Sequence, residues 1–407
     1  MFRFVSFLRV VSAVFLITGI ARVTVAEVPA RVAGREALQA ILPTDTRLET
    51  LTGGYVLLIP EPFAPPIFAT DPHYAHRTSR ALSLYERHPV KDSLTRRVVV
   101  HFEEDDRISA IRSARLIARL LFLHRERLGR ETVLRRGAGE AHVWLIPLPP
   151  GKAAEGGETR DNNVYVFAAS AITSPIELAR TVAHEWGHET LPAARGFAEP
   201  ENDASGYLGE RLYMHYLNSD TVSATEKRPD DGTTAETLLT YHDRQVKPLI
   251  ARFEKSGPHS PLMDGDGTEA MDYYIGAVLT MAETIGSPLL GEALFGIDDT
   301  SPRDFVRALE TSVAKKLPDG VFVTMRAWLP LARGTYVLTP VSGGGAITLT
   351  GPQSLRAVAD GPKSGLPKPR PGEKRDGTFR VTKPGWFRLT ASGSLSEFTI
   401  RSVGTAK

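Results

Sequence analysis

Two histidines and a glutamate stand close together near the middle of the chain, in the stretch His184-Glu185-Trp186-Gly187-His188. An α-helix turns by roughly 100° per residue, so on a helix His188 and Glu185 would lie close to the side that carries His184. Two imidazoles one turn apart can share a zinc ion, and a carboxylate beside them can take a proton from water held at that ion. The spacing therefore predicts a zinc site that activates water, with His184 and His188 as ligands and Glu185 as the general base.

The residues around this stretch predict the helix that the zinc site requires. Ala179, Val182 and Trp186 fall on the side opposite the histidines, which gives the helix an apolar face for a core. Pro175 suits the first turn of a helix and Pro192 ends or bends one. The alternative interpretation is a polar helix face whose histidines hold the fold together without a metal.

The motif H-E-x-x-H resembles that of the zincin metallopeptidases. The metzincin branch continues with a Gly and a third His, but Leu191 and Ala194 occupy those positions here, which excludes that branch. The gluzincin branch, thermolysin-like and aminopeptidase-like, fits better and takes its third ligand from a glutamate on a later helix. Glu189 departs from the pattern, because zincins usually carry an uncharged residue there. The resemblance implies an α+β fold with a zincin-like core, Zn²⁺ as cofactor and hydrolysis of peptide bonds.

The third ligand is sought among the acids that follow the metal helix. Four could serve: Glu199, Glu201, Asp203 and Glu210. Pro200 argues against a continuous helix through the first three, whereas Glu210 lies in a helix predicted over 204–217. The gap between His188 and Glu210 is close to that of thermolysin-like enzymes, and Gly206 and Gly209 would let the two helices approach closely. We therefore predict Glu210 as the third ligand and keep the other three as alternatives.

Two further roles remain to be filled at such a site. Since position 214 is Met, Asp203 or Glu201 would have to orient one of the histidines through its free ring nitrogen. Peptide hydrolysis also needs a donor that stabilises the oxyanion, and the resemblance implies a Tyr or His from a later helix. Our prediction for this donor is Tyr273 or Tyr274. Tyr241 and His242 are alternatives, and each of the four could equally be a packing residue.

The first 26 residues read as a signal peptide. Arg3 and Arg9 precede an uncharged run over residues 10–21, and the small residues Thr24, Val25 and Ala26 follow it. The alternative is an N-terminal anchor helix. Removing residues 1–26 takes away three arginines and no acid, so the formal charge changes from +2 to −1. We therefore predict an exported protein, secreted or periplasmic in a bacterium, with no nucleic-acid partner and no stable membrane insertion. The chain has no cysteine, which excludes disulfides and a thiol nucleophile.

The remaining pattern predicts strands before the metal helix, helices after it and short strands at the end. The predicted domains are a signal peptide at 1–26, the α/β part of a catalytic domain at 27–172, its metal-binding helical part at 173–333, and a C-terminal β domain at 334–407. Strands are predicted at 54–60, 97–102, 141–147, 163–168, 336–339, 346–350, 355–358, 379–382, 386–390 and 397–401. Helices are predicted at 108–128, from Ser174 to about 190, and at 204–217, 234–254, 269–285, 288–295 and 302–316. By the same resemblance, Asn163–Phe167 could pair with the substrate backbone; the alternative is an interior strand.

The sequence pattern is compatible with two functions. The first is an exported zinc peptidase with Glu185 as general base and a peptide or protein as its substrate. The second is a catalytically silent, metallopeptidase-like binding protein that acts through its C-terminal β domain. The presence of Glu185 argues for the enzyme, because a purely structural zinc has no use for a general base.

Overall fold

A computed structural model of the chain gives its architecture. The described residues are 29–42, 46–62, 64–88, 90–91, 93–129, 134, 139–151, 156–220, 230–285, 287–296, 301–316, 320–322, 326–342, 347–350, 355–357, 377–391 and 397–403. The predicted signal peptide, residues 1–26, lies outside them. Within these ranges, every helix is too short or too polar to cross a bilayer.

A mixed β-sheet forms the first half of the molecule. The strands of this half are β1 (Arg31–Val32), β2 (Thr46–Thr50), β3 (Tyr55–Pro60), β4 (Ala69–Thr70), β5 (Arg77–Thr78), β6 (Arg80–Arg87), β7 (Leu94–Phe102), β8 (Ala141–Ile146), β9 (Gly156–Arg160) and β10 (Asn163–Phe167). The sheet order is β2-β3-β6-β7-β8-β10-β9, with β1 beside β7, while β4 and β5 pair separately. Strand β8 runs parallel to both β7 and β10, and the other neighbours are antiparallel.

Side chains along each strand point alternately to the two faces of this sheet. Val98 and Val100 of β7 point into the main apolar core, which the helices share. Val99, between them, points to a smaller cluster on the opposite face. Because both faces are covered, the central strands read as nearly continuous apolar runs.

The first two helices are inserted between strands of this sheet and the others follow it; all but the first contribute to the main core. They are α1 (Arg35–Ile41), α2 (Arg107–Leu128), α3 (Pro175–Thr190), α4 (Ser205–Ser219), α5 (Ala235–Tyr241), α6 (Lys247–Ser256), α7 (Thr268–Thr284), α8 (Ser287–Phe295) and α9 (Pro302–Lys316). A π-helical turn, His242–Val246, joins α5 to α6. The single helix predicted over 234–254 is therefore interrupted by one wide turn.

Short strands make up the C-terminal part. They are β11 (Gly320–Phe322), β12 (Arg326–Leu331), β13 (Gly334–Ser342), β14 (Ile347–Thr350), β15 (Leu355–Ala357), β16 (Gly377–Val381), β17 (Gly385–Ala391) and β18 (Glu397–Val403). They form two sheets, β11-β18-β13-β16-β15 and β12-β17-β14. Leu329 and Trp386 belong to the same apolar core as the helices, and Trp328 Nε1 donates to the carbonyl of Glu254 at 3.0 Å. These strands thus pack directly on the helical part.

The position of β10 settles one open alternative. It pairs with β8 on one side and with β9 on the other, and all five of its residues are buried. Asn163–Phe167 is therefore an interior strand, which leaves no edge for a substrate backbone. The edge of the sheet beside α3 is formed by β9, a strand that the sequence pattern did not predict.

Candidate metal centre

Helix α3 presents His184 and His188 on one side and buries the other. Ala179, Val182 and Trp186 are buried in the main core, as the apolar pattern predicted. The two imidazole rings lie 5.1 Å apart between centroids at an interplanar angle of 76°. Their side chains are 14% and 21% exposed, so the pair faces a solvent-accessible side of the helix.

The Nε2 atoms of both histidines converge on the carboxylate of Glu201. His184 Nε2 lies 2.9 Å from Oε1, and His188 Nε2 lies 3.4 Å from Oε2. One ligand atom from each of the three residues falls within 4.8 Å of the others. Two imidazoles and one carboxylate are one of the donor sets that catalytic zinc sites use in proteins.

The charges of this cluster support each other. Burial alone would discharge His184, but its hydrogen bond to Glu201 and the nearby carboxylate of Glu210 outweigh that effect and raise its pKa to about 10. Burial would likewise raise the pKa of Glu201, yet the two histidines lower it to about 2. Opposite charges held this closely favour both ionised forms. Glu201 is therefore an anion and remains available to a cation.

Glu201 lies on the loop between α3 and α4, and that loop is fixed at two points. Arg195 and Asp203 form an antiparallel bridge across its base. Further out, the backbone N–H of Ala198 donates to the carbonyl of Asp266 at 2.6 Å, a contact to the segment just before α7. The loop thus holds Glu201 over the two histidines without being helical.

Glu210, the predicted third ligand, has a different environment. Its Oε1 accepts hydrogen bonds from Arg180 Nε at 2.7 Å, from the Tyr241 hydroxyl at 2.8 Å and from Arg211. Its Oε2 faces Nδ1 of His184 at 3.8 Å, on the side of the ring away from Glu201. Burial opposes ionisation of Glu210, but His184 and the two arginines lower its pKa to about 2. The geometry therefore places Glu210 behind His184, where it can orient the ring.

His188 has an equivalent partner. Its Nδ1 lies 2.9 Å from Ser205 Oγ, and that hydroxyl in turn donates to Asp203 Oδ1. Since the serine proton is committed to Asp203, Nδ1–H of His188 donates to the serine. Asp203 was one of two acids that the sequence proposed for this orienting role. Each histidine thus has an acid behind Nδ1 and its Nε2 directed at a shared point.

Three glycines make room for this arrangement. A Cβ on Gly206 would lie 2.3 Å from Nε2 of His188 and 2.6 Å from Nε2 of His184, in the space where the two imidazoles converge. A Cβ on Gly187 would lie 2.7 Å from Cα of Gly209, because α3 and α4 touch backbone to backbone there. The space kept clear at Gly206, together with the donor set, fits a bound metal ion.

Glu185 is held beside the histidines by the edge strand β9. Its Oε2 accepts a hydrogen bond from Thr159 Oγ1 at 2.9 Å, and its side chain lies against Gly157, where a Cβ would come within 2.4 Å. Glu185 is buried, and burial raises its pKa above the ordinary value for a glutamate. A carboxylate with a raised pKa next to a metal site is suited to accept and return a proton.

The two predicted oxyanion donors are placed elsewhere by the structure. Tyr273 and Tyr274 are completely buried in the core, and the Tyr273 hydroxyl donates to the carbonyl of Gly257. The tyrosine that adjoins the histidines is Tyr207, whose ring meets that of His184 edge-on at 4.8 Å. Burial, followed by the charges of Glu201 and Glu210, raises the pKa of Tyr207, so its hydroxyl keeps its proton. Its position directly after Gly206 was the signal in the sequence that could have identified it.

Comparisons with known proteins add a distant likeness. No family model matches the chain, and no curated protein matches it. A crystal structure of aminopeptidase A from Legionella pneumophila in complex with aspartic acid is similar with a TM-score of 0.28 and 10% identity. The match covers 76% of this chain and 35% of that one, so this chain spans about a third of its neighbour's length. Conclusions about function rest on the site itself.

Proposed function

We propose that the protein is a zinc-dependent peptidase whose metal is held by His184, His188 and Glu201. The observation that carries this proposal is the convergence of two Nε2 atoms and a carboxylate above Gly206, each imidazole with an acid behind it. Glu201 replaces Glu210 in the proposed ligand set, because Oε1 of Glu210 already accepts from two arginines and a tyrosine. The predicted signal peptide would place the activity outside the cytoplasm.

The protein's own residues supply the proton transfers. A bound zinc ion supplies a Lewis acid, which acidifies water and polarises a carbonyl. Glu185 accepts the proton of the attacking water and returns it to the nitrogen of the leaving amine. Its burial and its hydrogen bond from Thr159 keep the carboxylate in one orientation for both transfers. Glu210 and the Ser205–Asp203 pair hold the two imidazoles in place during these proton transfers.

The free edge of β9 is where we propose that the substrate backbone binds. In the described part of the chain, β9 pairs with β10 on one side and with no strand on the other. An extended peptide can add to such an edge by main-chain hydrogen bonds. Gly157 and Thr159 both contact Glu185, so a peptide along β9 would pass close to the proposed general base.

A mixed peptide library tests the proposed function. The full chain, loaded with zinc, is incubated with the library and the products are identified by mass spectrometry, with and without a chelator. We expect new peptide termini that disappear with the chelator and return when zinc is restored. A zinc-loaded protein that cleaves nothing would instead support the binding protein described above.

Replacing Glu201 and Glu210 in turn by glutamine distinguishes the proposed metal ligand from the residue that only orients a ligand. Glu201→Gln removes a proposed ligand, so we expect a larger loss of zinc affinity than the roughly 10- to 100-fold typical of an outer partner. Glu210→Gln should stay within that range. Zinc affinity is measured by competition with a chromophoric chelator, and thermal melting of the metal-free variants checks that both fold. If Glu210→Gln lost more affinity than Glu201→Gln, the ligand assignment would be reversed.

Tyr207 is the side chain that we assign as the oxyanion donor. Removing one such donor typically costs about 10²- to 10³-fold in kcat, so Tyr207→Phe should lower kcat within that range with little effect on zinc binding. Tyr241→Phe is the matched control, because that hydroxyl donates to Glu210. Equal losses in the two variants would contradict the assignment.

A further inference from the structure

A second group of metal-binding side chains lies outside the candidate centre. His215 on α4, His242 in the π-helical turn and Glu283 near the end of α7 each offer one ligand atom, all within 4.8 Å of one another. The two imidazole rings are stacked, with centroids 5.4 Å apart and an interplanar angle of 25°. Three separate elements therefore bring nitrogen and carboxylate donors close together.

The buried nitrogens of this group have unused hydrogen-bonding capacity. His215 is 7% exposed, and its Nδ1 is buried without a hydrogen-bond partner among the residues that the structure describes. The same holds for Nδ1 of His242, which lies 3.9 Å from Oδ1 of Asp243. Buried polar atoms in native proteins are nearly always satisfied, so two such nitrogens side by side call for an explanation. A metal ion bound to both rings is one such explanation.

The protonation state of the rings fits that explanation. Burial, followed by the charges of His242 and Arg127, lowers the pKa of His215 to about 4. Burial and the charge of Lys247 also lower the pKa of His242. Both rings are therefore neutral near pH 7, the form that binds a metal.

The charged groups around the two rings are compatible with a bound cation. Arg127 and Lys247 are the positive groups close to the two rings. Lys247 is already paired with Asp243, whose carboxylate lies 2.6 Å from its Nζ. Glu254 adds a negative charge beside Glu283, and the two acids raise the local negative potential. An ion bound to Glu283 would relieve that repulsion.

The π-helical turn is an independent indication. Helices α5 and α6 are regular, and the wide turn falls at His242–Val246, between them. Single π turns are rare and are frequently found at functional sites, because the wider turn changes the direction of the side chains it carries. Here the turn begins at the residue that stacks on His215.

We propose that His215, His242 and Glu283 form a second binding site for a divalent ion of the zinc class. Two imidazoles and one carboxylate suit Zn²⁺ better than Ca²⁺ or Mg²⁺, which prefer oxygen ligands. Donor atoms on a tetrahedral zinc are about 3.3 Å apart, so modest side-chain rotation closes the group around an ion. Glu283 is exposed, which gives the ion a route from solvent. The bound ion would join α4, the π turn and α7.

Counting the metal ions of the full chain tests this site. The metal-free protein is equilibrated with zinc alone, separated from free zinc and analysed by elemental mass spectrometry. We expect two ions for the wild type and one for Glu283→Gln, a change at the surface that leaves the core intact. Asp243→Asn, which removes a neighbouring acid outside the group, is the control and should keep two. His242→Gln should match Glu283→Gln.

The outcome is separate from that of the proposed peptidase function. If Glu283→Gln and His242→Gln bind as many ions as the wild type, the second site is excluded and the two histidines are packing residues. In a Gly206→Ala background, which removes the first centre, zinc should still raise the melting temperature, and adding Glu283→Gln should abolish that rise. A protein that holds two ions but cleaves no peptide would overturn the peptidase proposal alone.

Discussion

Glu185→Gln is expected to bind zinc like the wild type and to lose about 10²- to 10⁴-fold or more of its peptide turnover. The amide is nearly isosteric and can still accept the hydrogen bond from Thr159, so the packing against β9 should persist. What it cannot do is accept a proton from the attacking water. Because Glu185 contributes to the proton transfers and not to the ligand set, kcat should fall while zinc affinity stays within a small factor.

The matched control for this variant is Glu177→Gln. Glu177 lies in the first turn of the same helix, where it pairs with Arg180 at the surface. We expect its turnover to remain near that of the wild type. The measurements are the initial rate on a cleaved library peptide and the zinc stoichiometry of each variant. Undiminished turnover in Glu185→Gln would remove Glu185 from the mechanism.

Gly206→Ala is expected to prevent zinc binding at the candidate centre while leaving the chain folded. The new methyl group would lie 2.3 Å from Nε2 of His188 and 2.6 Å from Nε2 of His184. The cheapest relief is rotation of the two imidazoles, since the ends of side chains move more readily than a helix. That rotation destroys the convergence of the lone pairs. Alanine is a better helix former than glycine by roughly 1 kcal/mol, so the helix itself should tolerate the change.

Gly267→Ala provides the control for the glycine substitution. Gly267 precedes α7 with ordinary extended backbone angles, and a Cβ there would meet no atom within 4 Å. Zinc titration and thermal melting of both variants separate a local effect from a global one. If Gly206→Ala bound zinc with wild-type affinity at this centre, the two Nε2 atoms could not be the ligand atoms.

Much of the fold could be predicted from local patterns. The helices predicted over 108–128 and 302–316 are observed at Arg107–Leu128 and Pro302–Lys316. Their apolar residues recur at helical spacing, and prolines or glycines mark several boundaries. Strand β9 could not be predicted, because Gly-Gly-Glu-Thr-Arg has neither apolar alternation nor high β propensity. It is a strand through its pairing with β10 and its contact with α3, and neither is visible in a local pattern.

The candidate site, like the fold, could be predicted from the sequence only in part. His184, Glu185 and His188 follow from helical geometry within one turn and a half. Glu201 could not be distinguished from its neighbours, because its position depends on the contact of Ala198 with Asp266, far along the chain. Helix-borne ligands are generally better fixed than those on loops, and that reasoning favoured Glu210. It did not anticipate that Arg180 and Tyr241 would engage Glu210.

The backbone contact between Gly187 and Gly209 has a consequence for how an ion would reach the centre. No side chain lies between α3 and α4 at that crossing, so there is no compressible layer that would let one helix slide on the other. The histidines and Glu210 belong to that rigid block. The loop that carries Glu201, between Arg195 and Asp203, is then the part that can adjust around an ion, and the rate of metal uptake should depend on how firmly Asp266 tethers this loop.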